Sequence, residues 1–225
     1  KKDICGAMLE TFQGWGAVYY PKSFVQKFIK ICHKNNIAVT FDEIQSGFAR
    51  TGKRFGYEHY DVKPDLICCG KGMGGGVALS GVLGKKKIMD LPSVGEMSST
   101  NSANPLACVA GMSVLDEIKN KKILKRVNQN GFYLKKGLDN IMNKNASVKY
   151  VMGKGMVYAL IFDNQIFDIA KKLKKVCFGA MQHGLLVVYT GRESIKIGPP
   201  LTISKKAIEE GLKILDEQIY RVFKN

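Results

Sequence analysis

The sequence lacks the features that mark membrane-spanning, disulfide-stapled and zinc-binding proteins. No apolar run approaches the length that a helix needs to cross a bilayer. The six cysteines form no C-x-x-C pair and share no ligand spacing with the three histidines. This pattern argues against both a metal site and a disulfide framework. We therefore expect reduced thiols, a cytoplasmic protein, no bound metal and no membrane partner.

A recognisable targeting signal is also absent from the amino terminus. The opening residues, KKDICGAMLE, contain two lysines but no long apolar segment and no small-residue cleavage site, so we predict no signal peptide. The first residue is not methionine, and a strand-like pattern begins almost at once. We expect these 225 residues to be a piece of a longer chain. Their number is sufficient for one large domain or two modest ones.

Acidic residues are scarce relative to basic ones. The chain has 35 lysines and arginines against 19 aspartates and glutamates, a formal net charge of +16, which raises the possibility of a nucleic-acid partner. The basic residues are nevertheless spread along the chain, and most alternate with apolar residues, as on the solvated faces of amphipathic helices. We predict a lysine-rich surface and no nucleic-acid partner.

The residues that are present alternate between apolar runs and helical patterns. Short apolar runs occupy residues 4–10, 37–41 and 66–69, and a helical pattern that begins at Pro21 separates the first two. This order predicts an α/β fold with a mostly parallel sheet and flanking helices.

Charged residues stand where these three runs end. Glu10 closes the first run, Asp42 follows the second, and Lys71 follows the third after one glycine. Ligands of parallel α/β sheets collect at the carboxyl ends of the strands. The three charged side chains are therefore candidates for one site.

The carboxyl-terminal half has a different pattern. The pair Asn104-Pro105 is typical of a helix start, and we expect this helix to turn inward the apolar residues Leu106, Val109, Leu115 and Ile118. Helical patterns continue to about residue 143, and short strands mixed with basic helices follow from about residue 147. We predict two domains, 1–146 and 147–225.

The glycine-rich stretch around Lys71 has several interpretations. A phosphate-binding P-loop would need glycine at Asp65 and serine or threonine at Gly72, and the sequence has neither. The dinucleotide fingerprint needs a helix that begins at the glycines, whereas a strand-like run over residues 78–83 follows here. A surface lysine in a turn and a lysine nucleophile at a strand end remain open.

Asp42 favours the nucleophile. An acid at the end of a neighbouring buried strand needs a cationic partner, and a protonated pyridine nitrogen is one such partner. A helix cap or an ordinary salt bridge would also account for Asp42.

Four sequence blocks together resemble the class III aminotransferases of pyridoxal phosphate fold type I. The blocks are FDEIQSGFARTG, PDLICCGKGMGGG, SSTNSANPLAC and IKIGPPLTI, in this order, and the similarity extends from LETFQGWGA to the last helix. The resemblance implies pyridoxal 5'-phosphate as cofactor and a transaminase that moves an amino group from an amine donor to a 2-oxo acid acceptor. It further implies a homodimer with shared active sites. Residues 1–146 would then be part of the large cofactor-binding domain, and 147–225 a small α/β domain.

The resemblance also implies a role for each matching residue. Lys71 would form a Schiff base with the cofactor and move a proton, and Asp42 would keep the pyridine nitrogen protonated. Ile44 would pack on the ring face, and Gln45 would bond near the phenolic oxygen. Thr100 would contact the cofactor phosphate of the opposite subunit, although by itself it would pass for an ordinary loop residue.

Two departures from the family pattern concern the substrate pocket. Trp15 stands where the family often has a second glutamate, and Lys196 stands where it usually has an arginine that receives the substrate carboxylate. Because both members of that pair have changed, we expect an altered carboxylate pocket in which Trp15 forms an apolar wall. Glu10, Trp15 and Lys196 are the candidate pocket residues, and the donor is expected to be an ω-amine or amino sugar.

Alternatives to the transaminase remain. A PLP-dependent aminomutase of the same family would keep the cofactor and change the reaction. A catalytically incomplete fragment would use its basic surface to bind a polyanion. Family members are longer, and their amino-terminal half supplies a Gly-Ser/Thr phosphate loop and a ring-stacking aromatic residue, so the activity of these 225 residues alone is open.

Overall fold

The computed structural model describes residues 3–120 and 122–224, which divide into two compact units. The first unit contains residues 3–11 and the described residues of 20–122, and the second contains Phe12–Tyr19 and residues 123–224. In chain order the elements are β1 (Gly6–Glu10), β2 (Phe12–Gln13), β3 (Val18–Tyr19), α1 (Lys22–Lys34), β4 (Ala38–Asp42), β5 (Leu66–Cys69), β6 (Gly81–Gly84), α2 (Lys86–Met89), α3 (Pro105–Lys119), α4 (Lys122–Lys144), β7 (Val148–Lys154), β8 (Val157–Phe162), α5 (Ile169–Gln182), β9 (Val188–Tyr189), β10 (Ser194–Ile197) and α6 (Lys205–Phe223).

The first unit is built on a four-stranded sheet in the order β1-β4-β5-β6. The first three strands are parallel, and β6 runs antiparallel to β5. The predicted mostly parallel sheet is therefore confirmed. Helix α1 packs on β4 through Val25, Ile29 and Cys32, all buried, and it ends at Asn35 and Asn36, the latter with a left-handed φ of 56°.

Helix α3 begins at Pro105, as predicted, but it buries a different face. Its buried residues are Ala107, Gly111 and Ile118, whereas the residues expected inside are exposed, with Leu106 79%, Val109 61% and Leu115 44% accessible. The expectation was therefore wrong for three of its four residues. A Cβ built at Gly111 would lie 2.7 Å from Leu79 Cδ2, so the helix approaches the loop beneath it too closely for large side chains.

The second unit contains a four-stranded antiparallel sheet in the order β7-β8-β10-β9. Every residue of its central strand β8 is buried. Side chains alternate along a strand, and one set on β8 (Tyr158, Leu160 and Phe162) joins the core formed with α4, α5 and α6. The other set (Val157, Ala159 and Ile161) packs against the β2–β3 hairpin through Phe12 and Ala17.

These contacts place two segments differently from the predicted division near residue 146. Helix α4 joins the second unit because its apolar face, with Leu134, Leu138 and Ile141 buried, forms part of that core. The β2–β3 hairpin joins the same unit because it covers the other face of β8. The domain limits 1–146 and 147–225 stay a prediction. Within the described residues no helix has the length and apolar character required to cross a membrane.

Candidate active site

Three parallel strands end side by side in the first unit. The Cα of Glu10, the last residue of β1, pairs with that of Asp42, the last residue of β4. Asp42 in turn pairs with Cys68, one residue before the end of β5, and Lys71 follows that strand by two residues. The carboxyl ends of the strands therefore carry all three charged residues at one edge of the sheet, where the apolar runs placed them.

Asp42 has few protein partners. Its carboxylate is half-buried, and Oδ1 accepts a hydrogen bond of 2.9 Å from the backbone N–H of Ile44. Within residues 3–120 and 122–224, no cationic side chain forms a salt bridge with this carboxylate. Within the described chain, Asp42 is therefore not explained as a member of a salt bridge. A half-buried carboxylate of this kind is suited to a cationic ligand.

Lys71 lies in a strained turn beside a cleft. Its side chain is exposed, and its φ of 44° lies in the left-handed region, which costs a non-glycine residue about 1 to 2 kcal/mol. Strain of this kind tends to occur at functional sites. The cleft has a volume of about 640 Å³, in the range of small-molecule sites, and its lining also includes Gly76, Ser80, Ser99, Asn101 and Asn104.

The glycines around Lys71 serve the turn and its packing. Residues Lys71–Gly74 form one short 3₁₀ turn, so no α-helix begins there, in agreement with the rejection of the dinucleotide fingerprint. Gly75 has a φ of 59°, and a Cβ built on it would lie 2.9 Å from Val114 Cγ2 of α3. At Gly70 a built Cβ would lie 3.5 Å from Ile44 Cγ2, which brings the side chain of Ile44 next to the residue that precedes Lys71.

The other two predicted cofactor residues, Gln45 and Thr100, do not line the cleft beside Lys71. Gln45 is half-buried in the turn that follows Asp42. Thr100 is exposed in the turn-rich segment before α3, and its neighbours Ser99 and Asn101 line the cleft, but Thr100 is not among the lining residues. Helix α3 is capped by Asn104, whose Oδ1 accepts the N–H of Leu106 at 3.0 Å.

Sequence reasoning missed Glu43, the residue after Asp42. Its side chain is fully buried and accepts four hydrogen bonds, from Thr11 Oγ1 at 2.6 Å, Ser46 Oγ at 2.6 Å, Gly56 N at 2.8 Å and Tyr57 N at 2.7 Å. Glu43 thereby fixes the loop that leads away from the site. The alternation of side chains along β4 could have found it, because a neighbour of a half-exposed Asp42 points into the protein.

The predicted pocket residues belong to different units. Glu10 lies in the first unit, whereas Trp15 and Lys196 lie in the second. Trp15 occupies the turn of the β2–β3 hairpin, and Lys196 Nζ donates a 2.9 Å hydrogen bond to the carbonyl oxygen of Gly14 beside it. The guanidinium carbon of Arg192 lies 4.2 Å from the centroid of the Trp15 ring. Sequence reasoning did not identify Arg192.

A comparison with family models decides the family. The model described as Aminotransferase class-III matches residues 1–219. The chain belongs to the class III aminotransferases. These are pyridoxal-phosphate-dependent enzymes, so the family and the cofactor class implied by the four sequence blocks are confirmed.

Curated relatives of this class III chain include enzymes of more than one activity. An acetylornithine aminotransferase of Caldanaerobacter subterraneus subsp. tengcongensis is 34% identical over 222 residues, which cover 98% of this chain and 54% of that protein. A leucine/methionine racemase of Thermococcus litoralis is 36% identical over 221 residues, covering 96% of this chain and 50% of that protein. The chain thus spans about half the length of the curated relatives it matches.

Solved structures support the same fold. A structure of Plasmodium falciparum ornithine δ-aminotransferase superposes with a TM-score of 0.89 at 28% identity and covers 99% of this chain, which corresponds to 56% of that protein. An acetylornithine aminotransferase of Elizabethkingia anophelis gives a TM-score of 0.84 at 31% identity over 95% of this chain and 56% of that protein. The predicted α/β fold of the type I class is confirmed.

Proposed function

We propose that this chain carries the lysine-bearing part of a transaminase that moves an amino group from a primary amine or amino acid to a 2-oxo acid through pyridoxal phosphate. The observation that carries the proposal is the position of Asp42 at the end of β4 and of Lys71 two residues beyond the end of the adjacent parallel strand β5, in a class III chain. Transamination is also the reaction named for most of the relatives described above.

The residues at this edge fit the cofactor. Pyridoxal phosphate, when bound, acts as an electron sink that stabilises negative charge at the substrate Cα. The Asp42 carboxylate, which lacks a salt bridge within the described residues, would hold a proton on the pyridine nitrogen. The Lys71 amine, exposed at the cleft, would bind the cofactor covalently and would carry a proton to and from the substrate Cα.

Three further residues complete the proposed cofactor site. Ile44, whose side chain lies beside Gly70, would pack on the ring face. Gln45 would bond near the phenolic oxygen, and Thr100 would contact the phosphate of the opposite subunit's cofactor. The role of Thr100 requires the proposed homodimer, which sedimentation or light scattering would test. The cytoplasmic location stays a prediction from the cysteine pattern.

Trapping of the cofactor tests the proposal. Protein mixed with pyridoxal phosphate should develop a visible absorption band. Borohydride should reduce the lysine–cofactor bond to a permanent covalent link, and peptide mass spectrometry should then locate the added mass on Lys71. The Lys71→Ala variant should lose both signals. The matched control Lys63→Ala, which removes an exposed lysine of the same unit, should retain them. A visible band as strong in Lys71→Ala as in the wild type would contradict the assignment.

The donor must be found by assay. The names of the relatives favour acetylornithine or ornithine, whereas the Trp15 and Lys196 departures favour an ω-amine or amino sugar. Each class would be offered with pyruvate and with 2-oxoglutarate as acceptor. Product formation from one donor class and not the other would decide between these two hypotheses about the donor.

Racemisation is the second candidate, because a leucine/methionine racemase is 36% identical to this chain. A racemase converts a single amino acid into its enantiomer, whereas a transaminase needs a separate oxo acid. Chiral separation after incubation with leucine alone would distinguish the two reactions. An aminomutase would also act on one substrate, but it would change the position of the amino group and not its configuration alone.

A further inference from the structure

Two turns of the second unit are joined side by side although they are far apart in the sequence. One is the turn of the β2–β3 hairpin, which carries Gly14 and Trp15, and the other is the turn between β9 and β10, which carries Arg192. Ser194 Oγ donates a 3.1 Å hydrogen bond to the carbonyl oxygen of Trp15, and Lys196 Nζ donates one of 2.9 Å to that of Gly14. Both turns are therefore held in a fixed relation within this unit.

This arrangement orders the guanidinium of Arg192. Its carbon lies 4.2 Å from the centroid of the Trp15 ring, which is a cation–π contact. A guanidinium whose face lies over an aromatic ring keeps its N–H donors at its edge, where they can match a carboxylate bidentately. The side chain is 55% accessible and forms a loose ion pair with Glu193, in which Nε lies 4.0 Å from Oε2, too far for a hydrogen bond.

Lys196 is engaged differently. Its ammonium group donates to the Gly14 carbonyl and its side chain is half-buried, so it serves to hold the turn that carries Trp15. Lysine also lacks the planar fork of arginine. The residue that takes the place of the family's arginine thus holds the hairpin turn, while a different arginine, Arg192, lies over the ring of Trp15.

We propose that Arg192, held on the face of Trp15, binds the carboxylate of a small organic acid, with Ser194 and Lys196 as positioning residues. The identity of that acid as a substrate rests on the proposed transaminase function, since amino acid donors and oxo acid acceptors both carry a carboxylate. Trp15 then acts as the platform of the acid-binding arginine in addition to being an apolar wall.

The single tryptophan of the chain provides the measurement. Because Arg192 stacks directly on Trp15, binding of an acid at the guanidinium should change the tryptophan emission. Glutarate is a suitable probe, since it cannot transaminate and does not absorb in this region of the spectrum. Glutarate would be titrated into the protein at constant ionic strength, and a saturable change in emission is expected.

Two variants of Arg192 distinguish the contribution of its bidentate geometry to acid binding from that of its charge. Arg192→Gln should weaken glutarate binding at least tenfold, and Arg192→Lys should also weaken it because a bidentate contact is lost. Arg221→Gln, which removes an exposed arginine of the same unit, is the matched control and should leave the affinity unchanged. Circular dichroism would verify that each variant is folded.

Two results would overturn the inference: no saturable response in the wild type, or equal weakening by Arg192→Gln and Arg221→Gln. The outcome is separable from that of the proposed function. Cofactor trapping at Lys71 does not depend on Arg192, so trapping without glutarate binding would refute only the acid site. Glutarate binding without trapping would refute only the transaminase.

Discussion

Replacement of Glu43 with glutamine should destabilise the first unit by roughly 2 to 4 kcal/mol. The carboxylate is fully buried, and each of its oxygens accepts two hydrogen bonds. Oε1 accepts from Thr11 Oγ1 and from the N–H of Tyr57, and Oε2 accepts from Ser46 Oγ and from the N–H of Gly56. Every oxygen thus has one hydroxyl partner and one backbone partner.

Glutamine cannot reproduce this set of contacts. Its amide nitrogen would replace one oxygen, and the hydroxyl group opposite could rotate and accept from it. A backbone N–H cannot rotate in this way, so either Gly56 or Tyr57 would face another donor and lose its partner. One lost hydrogen bond contributes about 1 kcal/mol, and one buried unpaired N–H costs about 1 to 3 kcal/mol, which together give the expected range.

Local hydrogen exchange is the appropriate assay, because a chain of two compact units need not unfold in one step. Peptides that cover residues 43–60 should lose protection in Glu43→Gln, and those from the second unit should not. Glu117→Gln, which removes an exposed carboxylate from α3 in the same unit, is the control and should leave protection unchanged. If the two variants showed the same exchange within about 0.5 kcal/mol, the hydrogen-bond reasoning would be refuted.

Two further predictions concern acid stability and helix capping. Burial alone would raise the pKa of Asp65, but hydrogen bonds from Lys85 Nζ and from the N–H of Val39 outweigh it and lower the pKa to about 2. The stabilisation is therefore complete above the unfolded-state pKa near 4 and is lost as the pH falls towards 2, by roughly 2 kcal/mol. The urea midpoint of the transition that unfolds the first unit should accordingly converge between the wild type and Asp65→Asn over this pH range, and a difference that does not change with pH would contradict the assignment. Ser204 Oγ accepts the N–H of Ala207 at 3.1 Å as the cap of α6. In thermal denaturation, Ser204→Ala should therefore lower the unfolding free energy of the second unit by about 1 kcal/mol, whereas Ser204→Asn should preserve it. Equal melting of both variants would argue against the cap.

The candidate cofactor site was largely predictable from the sequence. The apolar runs of the parallel strands end in charged residues, and the geometry of a parallel sheet brings such ends to one edge, so Glu10, Asp42 and the turn of Lys71 had to lie near that edge. The helix start at Pro105 followed from local chemistry in the same way. The strand ends and the helix start depend only on residues that are near in the sequence or in adjacent strands, so the spacing of apolar and charged residues is sufficient to predict them.

The tertiary structure decided the features that depend on distant partners. Helix α3 buries its small residues because a loop approaches it closely, which no count of apolar side chains along the helix reveals. The hydrogen bonds from Ser194 and Lys196 to the hairpin turn span sequence separations of 179 and 182 residues, respectively. The sequence by itself determined the family, the mostly parallel sheet and the lysine that follows its third apolar run. Only the folded chain showed that Arg192 stacks on Trp15, because that contact requires two turns that meet through tertiary packing alone.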